Sequence, residues 1–306
     1  MKRVRVLLSL VAFLCGVPAW GTPQRLQDDR PSTVELAAPA QRIVSLAPFI
    51  TELVYAAGAG TRVVGVSAYS DYPPQAKSLP VVSDAVALNL EQLLSLKPDL
   101  IIAWKSGNRA ADVARAEALG IPALSVDAAL LSDIPRLLRL IGTAAGTTVQ
   151  SEEAAQAFER RLHDIRRRYA GRRPVSVFLE IWHRPLMTVN GTHFASRALE
   201  VCGGKNIFAD APGLTPQVGM EEIFARDPEA IVGGSSASSA ADLSRDWQSQ
   251  TALRSVKQGH VFYVHPDFIQ RPAPRILDGV ERICADLDKV RVDSALLPAV
   301  RPTSRP

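Results

Sequence analysis

Two stretches decide the fold: NLEQLLSLKPDLII, from Asn89 to Ile102, and GMEEIFARDPEAIV, from Gly219 to Val232. Laid over one another at a spacing of 130 residues, they align Glu91 with Glu221, Pro98 with Pro228 and Ile101 with Ile231. Apolar positions 90, 93, 94 and 102 also meet apolar partners. Each stretch reads as a helix, a proline breaker and a short buried strand. Chance can match a proline, but a whole helix, breaker and strand pattern marks a unit built twice.

Outward from these units the same alternation continues. In the first half, IVSLA reads as a strand after Arg42, ITELVYAAGAG as a helix ended by Gly58 and Gly60, and RVVGVS as a strand. DLIIAW and PALSVD are further strands, with ADVARAEALG a helix between them. In the second half VSVFLEI, EAIVGG and HVFYVH read as strands, FASRALEVCGG as a helix and APRILDGVERICADLDKV as a closing amphipathic helix. Between the halves, Ser151 to Tyr169 is a long polar helical stretch with Ser151, Glu152 and Glu153 at its start, and it reads as a connector. The expected fold class is α/β: two Rossmann-like lobes with mostly parallel sheets, joined by one long α-helix, with a ligand cleft between them. The expected boundaries are 42–148 for the N-terminal lobe, 149–171 for the connecting helix and 172–297 for the C-terminal lobe. Residues 22–41, polar and proline-punctuated, read as a flexible leader, and 298–306 as a disordered tail.

The 306 residues are 47% apolar and carry a formal charge of +4, which excludes a disordered or fibrous chain. The positive charge is not evidence of a nucleic-acid partner. Lys2, Arg3 and Arg5 precede an apolar run from Val6 to Val17, and small residues stand before a cut after Gly21. That is the layout of a secretory signal peptide over residues 1–21, and its apolar run is too short to span a bilayer. Taking those three basic residues from 35 leaves 32 against 31 acidic, a charge of +1. Export leaves Cys202 and Cys284 in an oxidising compartment, where an even pair predicts a disulfide; two separate buried thiols are the alternative.

Two facing α/β lobes form a cleft at the carboxyl ends of their strands, where ligands bind in such sheets. Pro48, Phe49, Tyr69 to Tyr72 and Trp104 stand at those ends in the first lobe. Trp182, His183, Asp267, Phe268 and Arg271 stand there in the second. Aromatic residues are only 6% of the chain, yet several fall at strand ends, which suits a broad flat ligand held by ring surfaces and a few polar groups. Capping of the sheet edges by ordinary core is the bland alternative for any one of them.

AYSDYPPQA (Ala68 to Ala76), NLEQLLSLKPDLIIAW (Asn89 to Trp104), LEVCGGKNIF (Leu199 to Phe208) and APRI (Ala273 to Ile276) together resemble the cobalamin branch of the helical-backbone periplasmic binding proteins, from about Arg42 to Lys289. The resemblance implies a periplasmic protein, not an enzyme, that captures cobalamin (vitamin B12) or a related corrinoid and hands it to the permease of an ABC importer. It places ligand contacts on Tyr69 and on Asp267, Phe268, Ile269, Gln270 and Arg271. It also places a disulfide on Cys202 and Cys284 and permease docking on Glu91 and Glu221, the pair that the internal repeat superposes. One acidic knob per lobe suits a two-fold permease, because charge pairs steer encounter and fix register. A solvated glutamate favoured by a helix dipole would explain either one alone. A monomer is expected.

The chain departs from the enteric form of that branch in carrying Ala85 and Thr215 where tryptophans stand, so two stacking surfaces are missing. Phe49, Trp104 or Trp182 are the candidates to replace them, and haem or a ferric siderophore is the alternative ligand. Haem would use Tyr69, His183 or His265 as an axial ligand. Zinc or manganese would need about three histidines and a carboxylate converging, and His163, His183, His193, His260 and His265 show no close ligand spacing. A secreted α/β enzyme is the alternative of another class, with Asp71 and Asp267 as its candidate acid-base pair. The chain has no GxSxG, P-loop or HExxH motif.

Overall fold

The computed structural model of the chain describes residues 23–84, 87–234 and 239–296. The expected signal peptide (1–21), the expected tail (298–306) and Ala85 lie outside the described residues. The strands are β1 (Gln24–Gln27), β2 (Thr33–Leu36), β3 (Ile43–Ser45), β4 (Val63–Ser67), β5 (Val81–Ser83), β6 (Leu100–Trp104), β7 (Ala123–Val126), β8 (Val175–Glu180), β9 (Gly204–Asn206), β10 (Ala230–Gly233) and β11 (Val261–Tyr263). The helices are α1 (Pro48–Ala56), α2 (Leu90–Ser95), α3 (Ala110–Ala118), α4 (Asp133–Ala145), α5 (Thr148–Tyr169), α6 (Phe194–Glu200), α7 (Met220–Arg226), α8 (Ala240–Trp247), α9 (Arg254–Lys257) and α10 (Ile276–Leu296).

The first lobe holds a sheet of order β5-β4-β3-β6-β7 and the second a sheet of order β11-β10-β8-β9, and the pairings within both are parallel. The strand order reverses beside β3 in one lobe and beside β8 in the other. Such reversals open a crevice at the strand carboxyl ends. The sheets are buried on both faces. Val44, Leu93, Ile101 and Val113 pack on one side of the first, and Phe178, Phe208, Leu243 and Trp247 on one side of the second.

The remaining faces share a single apolar cluster that runs through α5. Its Ser151, Ala155, Phe158, Leu162 and Ile165 are buried at helical spacing, while most of its exposed residues are charged or polar. With 22 residues, the helix extends about 33 Å. Gly142 of α4 lets α5 come close, since a Cβ there would stand 1.9 Å from Ser151 Oγ. Arg139 of α4 clamps Glu152 and Glu159 of α5, and Arg161 of α5 reaches Asp278 and Glu281 of α10. The Arg139 guanidinium holds the Glu152 carboxyl down at about 2.

Residues 23–41 differ from the flexible leader expected over 22–41. β1 and β2 form an antiparallel hairpin with Leu26, Val34 and Leu36 buried. Within the hairpin turn, Asp29 N donates to Ser125 O, and Asp28 Oδ2 accepts from Ser125 N. Arg30 Nη2 donates to Ala123 O, so the segment covers the outer edge of β7. Its strands are four residues long and hemmed by prolines, too short for alternation to stand out. β5, β9, α4 and α8 are likewise elements that the sequence reading did not name.

Cys202, just after α6, and Cys284 of α10 form a disulfide inside the second lobe. Closing a loop of 82 residues in sequence is worth roughly 4 kcal/mol in chain entropy. The double variant Cys202→Ala/Cys284→Ala is therefore expected to melt roughly 10 °C lower in a calorimetric scan. An unchanged midpoint would remove the bridge from the stability account.

Candidate functional site

A cleft of about 690 Å³ opens between the lobes, lined by residues of both sheet edges. From the first lobe, β3 leads into Ala47, Pro48 and Phe49 at the start of α1. Pro48 occupies a first-turn helix position, where its missing N–H costs nothing. Trp104, at the end of β6, packs its ring edge-on to Phe49 with centroids 5.6 Å apart. Its Nε1 donates to Asp127 at 3.0 Å. A Cβ on Gly107 would stand 1.9 Å from the Trp104 ring, so that ring position demands glycine there.

Tyr69 projects into the cleft with 81% of its surface exposed, on a left-handed backbone with φ 64. A non-glycine residue there costs about 1–2 kcal/mol, which the surroundings must supply. A buried hydroxyl chain does so from below: Ser45 to Thr51, Thr51 to Ser70 at 3.0 Å and Ser70 to Ser67 at 3.0 Å. From the opposite lobe, Arg271 Nη2 donates to Tyr69 O at 3.2 Å.

The second lobe contributes Trp182, Thr192, His193, Phe194, Leu214, Asp267, Gln270 and Arg271. Trp182 is anchored through Nε1 to Arg184 O at 2.9 Å. Arg271 pairs with Asp267 of its own lobe at 2.9 Å and with Asp71 of the first at 2.8 Å. Burial opposes ionisation of Asp71, but the hydrogen bond and charge of Arg271 outweigh it and hold the carboxyl below its usual range.

Phe49, Tyr69, Trp104, Trp182, Asp267, Gln270 and Arg271 thus come together at one cleft. Phe268 and Ile269 do not. Ile269 is buried in the core and Phe268 packs against it, its ring 5.2 Å under the Arg275 guanidinium. A 3₁₀ turn over Pro266–Phe268 turns the consecutive side chains of Phe268 and Ile269 toward the core, which linear proximity to Arg271 could not reveal. Thr215 is exposed, and its neighbour Leu214 supplies the apolar contact to the cleft. His193 lines the cleft as a histidine able to approach it, whereas Asp127, Phe194 and Leu214 lie outside the residues that the sequence reading placed there. Asp127 follows β7, so the strand-end rule would have found it; Leu214 carries no sequence signal.

The histidines are dispersed. His183 turns inward to Glu180 at 3.3 Å, and His260 pairs with Asp293. His265 caps the 3₁₀ turn by accepting from Asp267 N, leaving His193 as the histidine on the cleft wall. Among the described residues, no group of three or more His, Cys, Asp or Glu side chains is placed to hold a metal ion. Burial of the Glu180 carboxyl raises its affinity for a proton despite the Trp247 Nε1 bond at 2.6 Å.

A family model described as periplasmic binding protein matches residues 43–268. The chain belongs to the periplasmic binding protein family. A vitamin B12-binding protein of Pectobacterium carotovorum is 38% identical over 280 residues, covering 91% of this chain and 96% of that one. The crystal structure of a periplasmic vitamin B12-binding protein from Vibrio cholerae is 37% identical, with a TM-score of 0.77, covering 83% of this chain and 98% of its own. A periplasmic haem-binding protein from Pseudomonas aeruginosa shares the fold at 22% identity and a TM-score of 0.72, covering 87% and 96%. This chain thus carries the two-lobed architecture of its family with an aromatic cleft of its own composition.

His193 Nδ1 accepts from Ala195 N at 3.1 Å to cap α6, and burial pushes the imidazole down to about 4 from its ordinary 6.5. Between those values the unfolded chain binds a proton that the folded chain refuses, so this group's stabilisation is lost as pH falls through that window. His193→Asn keeps a capping acceptor and is expected to flatten the fall in melting temperature between pH 6.5 and 4. An unaltered slope would show that His193 does not titrate in this way.

Proposed function

We propose that this periplasmic binding protein captures cobalamin, or a related corrinoid, between its lobes and delivers it to the permease of an ABC importer. The observation that carries the reading is the cleft itself. Tyr69, Phe49 and Trp104 face Trp182 and Leu214 across a gap with the Arg271–Asp267 pair on its wall, a chemistry of ring surfaces and sparse polar contacts that suits a large macrocycle rimmed by amides. The identity to vitamin B12-binding relatives over most of the chain supports the same ligand. Leu214 partly offsets the aromatic surface absent at Thr215. The protein works by binding and release without chemistry: Asp71 and Asp267 are both engaged by Arg271. Export by residues 1–21 brings the chain to its ligand, and the protein acts as a monomer.

Glu91 and Glu221 are the proposed docking contacts. Each lies in the first turn of its helix, α2 or α7, is exposed, and forms no ion pair with another described residue. A crossover helix runs antiparallel to its strands, so both first turns sit on the edges where the cleft opens. Two carboxylates, one per lobe and without an ion pair among the described residues, would suit cations on a membrane partner.

Without residues 1–21 the chain keeps Trp104, Trp182 and Trp247, and the first two line the cleft. Titration with cyanocobalamin, haemin and a ferric siderophore should quench most of that fluorescence with cyanocobalamin at stoichiometric ratio. Tight binding of haemin with no response to cyanocobalamin would transfer the assignment to haem. Glu91→Ala with Glu221→Ala should leave ligand affinity intact and weaken association with the permease about tenfold, chiefly through slower encounter. Association at the unsubstituted rate would remove their docking role.

A further inference from the structure

Glu52 lies on α1 of the first lobe with only 2% of its side chain exposed, in a position where a lone carboxylate would be strongly disfavoured. It is not alone. Arg275 of the second lobe grips it with two prongs, Nε to Oε2 at 2.8 Å and Nη2 to Oε1 at 2.6 Å. Arg271 adds Nη1 to Oε1 at 3.3 Å. The Arg275 guanidinium also lies 3.7 Å over the ring of Tyr72, so both arginines reach across the lobe boundary.

The chain of contacts continues to the cleft. Arg271 holds Asp71, Asp267 and the carbonyl of Tyr69. Tyr69 is the residue whose left-handed backbone must be held by its surroundings. Glu52 itself does not line the cleft; it fixes the arginine that does. Two guanidinium groups and three carboxylates, Glu52, Asp71 and Asp267, therefore form one connected unit between the lobes, and removing its most buried member frees both cations together.

We propose that Glu52 is a positioning residue for ligand binding: by anchoring Arg271 and Arg275 across the lobe boundary, it holds the Arg271 guanidinium against the Tyr69 turn and keeps both cleft walls in register before ligand arrives. The role rests on the cleft being the ligand site.

Glu52→Gln preserves shape and removes the charge. Cyanocobalamin affinity measured by calorimetry at 25 °C is expected to fall about tenfold or more. In the ligand-free protein, hydrogen–deuterium exchange across residues 67–73 is expected to quicken. Combined with Arg275→Gln, the loss should be no greater than that of the larger single variant, because the two groups act as one unit. A folded Glu52→Gln protein with a lower melting temperature but unsubstituted affinity and unsubstituted exchange over 67–73 would reduce Glu52 to a structural role and overturn the proposal. Additive losses would do the same. Should Glu52→Gln fail to fold, Arg275→Lys, which keeps the charge but not the two-pronged grip, is read by the same measurements with the same expectations. Should the unsubstituted protein not bind cyanocobalamin, that failure belongs to the ligand reading. The exchange experiment contains no ligand, and it still decides for or against Glu52.

Discussion

Everything in this molecule depends on the buried stripe of α5. Ala155, Phe158, Leu162 and Ile165 enter an apolar cluster shared by α1 and α4 on one side and by β8, α6 and α10 on the other, with Ser151 buried beside them. Two lobes joined by a loop could swing freely, but two lobes built on one continuous core cannot part without exposing it to water. That shared core limits how far the walls of the cleft can move apart. The ion pairs of Arg139 and Arg161 add direction to that constraint more than energy, since half-exposed pairs contribute little each.

Against this rigid back, the front of the molecule is fastened by charge. Glu52, Arg271 and Arg275 meet where the lobes come together below the ligand space, and the partners are separated by more than 200 residues in sequence. Hydrophobic burial brings the lobes together without fixing their angular setting. Directional, multiply bonded guanidinium–carboxylate contacts supply that setting. Tyr69 shows the benefit: its exposed ring can occupy an otherwise costly backbone geometry because hydroxyls from its own lobe and a cation from the other hold the turn on both sides.

Much of this was legible in the sequence because it repeats. The helix, proline and strand at Leu90 to Ile102 recur at Met220 to Val232, and their β-strands are apolar enough to be read as buried. The cleft was readable wherever an aromatic residue closed or closely followed a strand, as at Trp104 and Trp182. Legibility failed where tertiary context overrode local pattern. Phe268 and Ile269 sit in a tight turn that aims them into the core, and Leu214 gains its place from a long surface loop without periodicity. The Glu52 contacts were invisible for another reason: within ITELVYAAGAG it occupies a position that reads as an ordinary polar helix residue, and its partners lie at the far end of the chain.

The N-terminal hairpin has a consequence of a different kind. β7 is an outermost strand of the first sheet, and Asp28, Asp29 and Arg30 occupy the hydrogen-bonding groups along its rim. An uncovered rim of that sort is a template for another chain's strand. Residues just beyond the expected export cut therefore occupy a rim open to strand pairing, and a chain shortened to begin at Arg42 would bare that rim together with the core face covered by Leu26, Val34 and Leu36. The choice of where an exported protein is trimmed then bears on whether it stays dispersed in a crowded compartment.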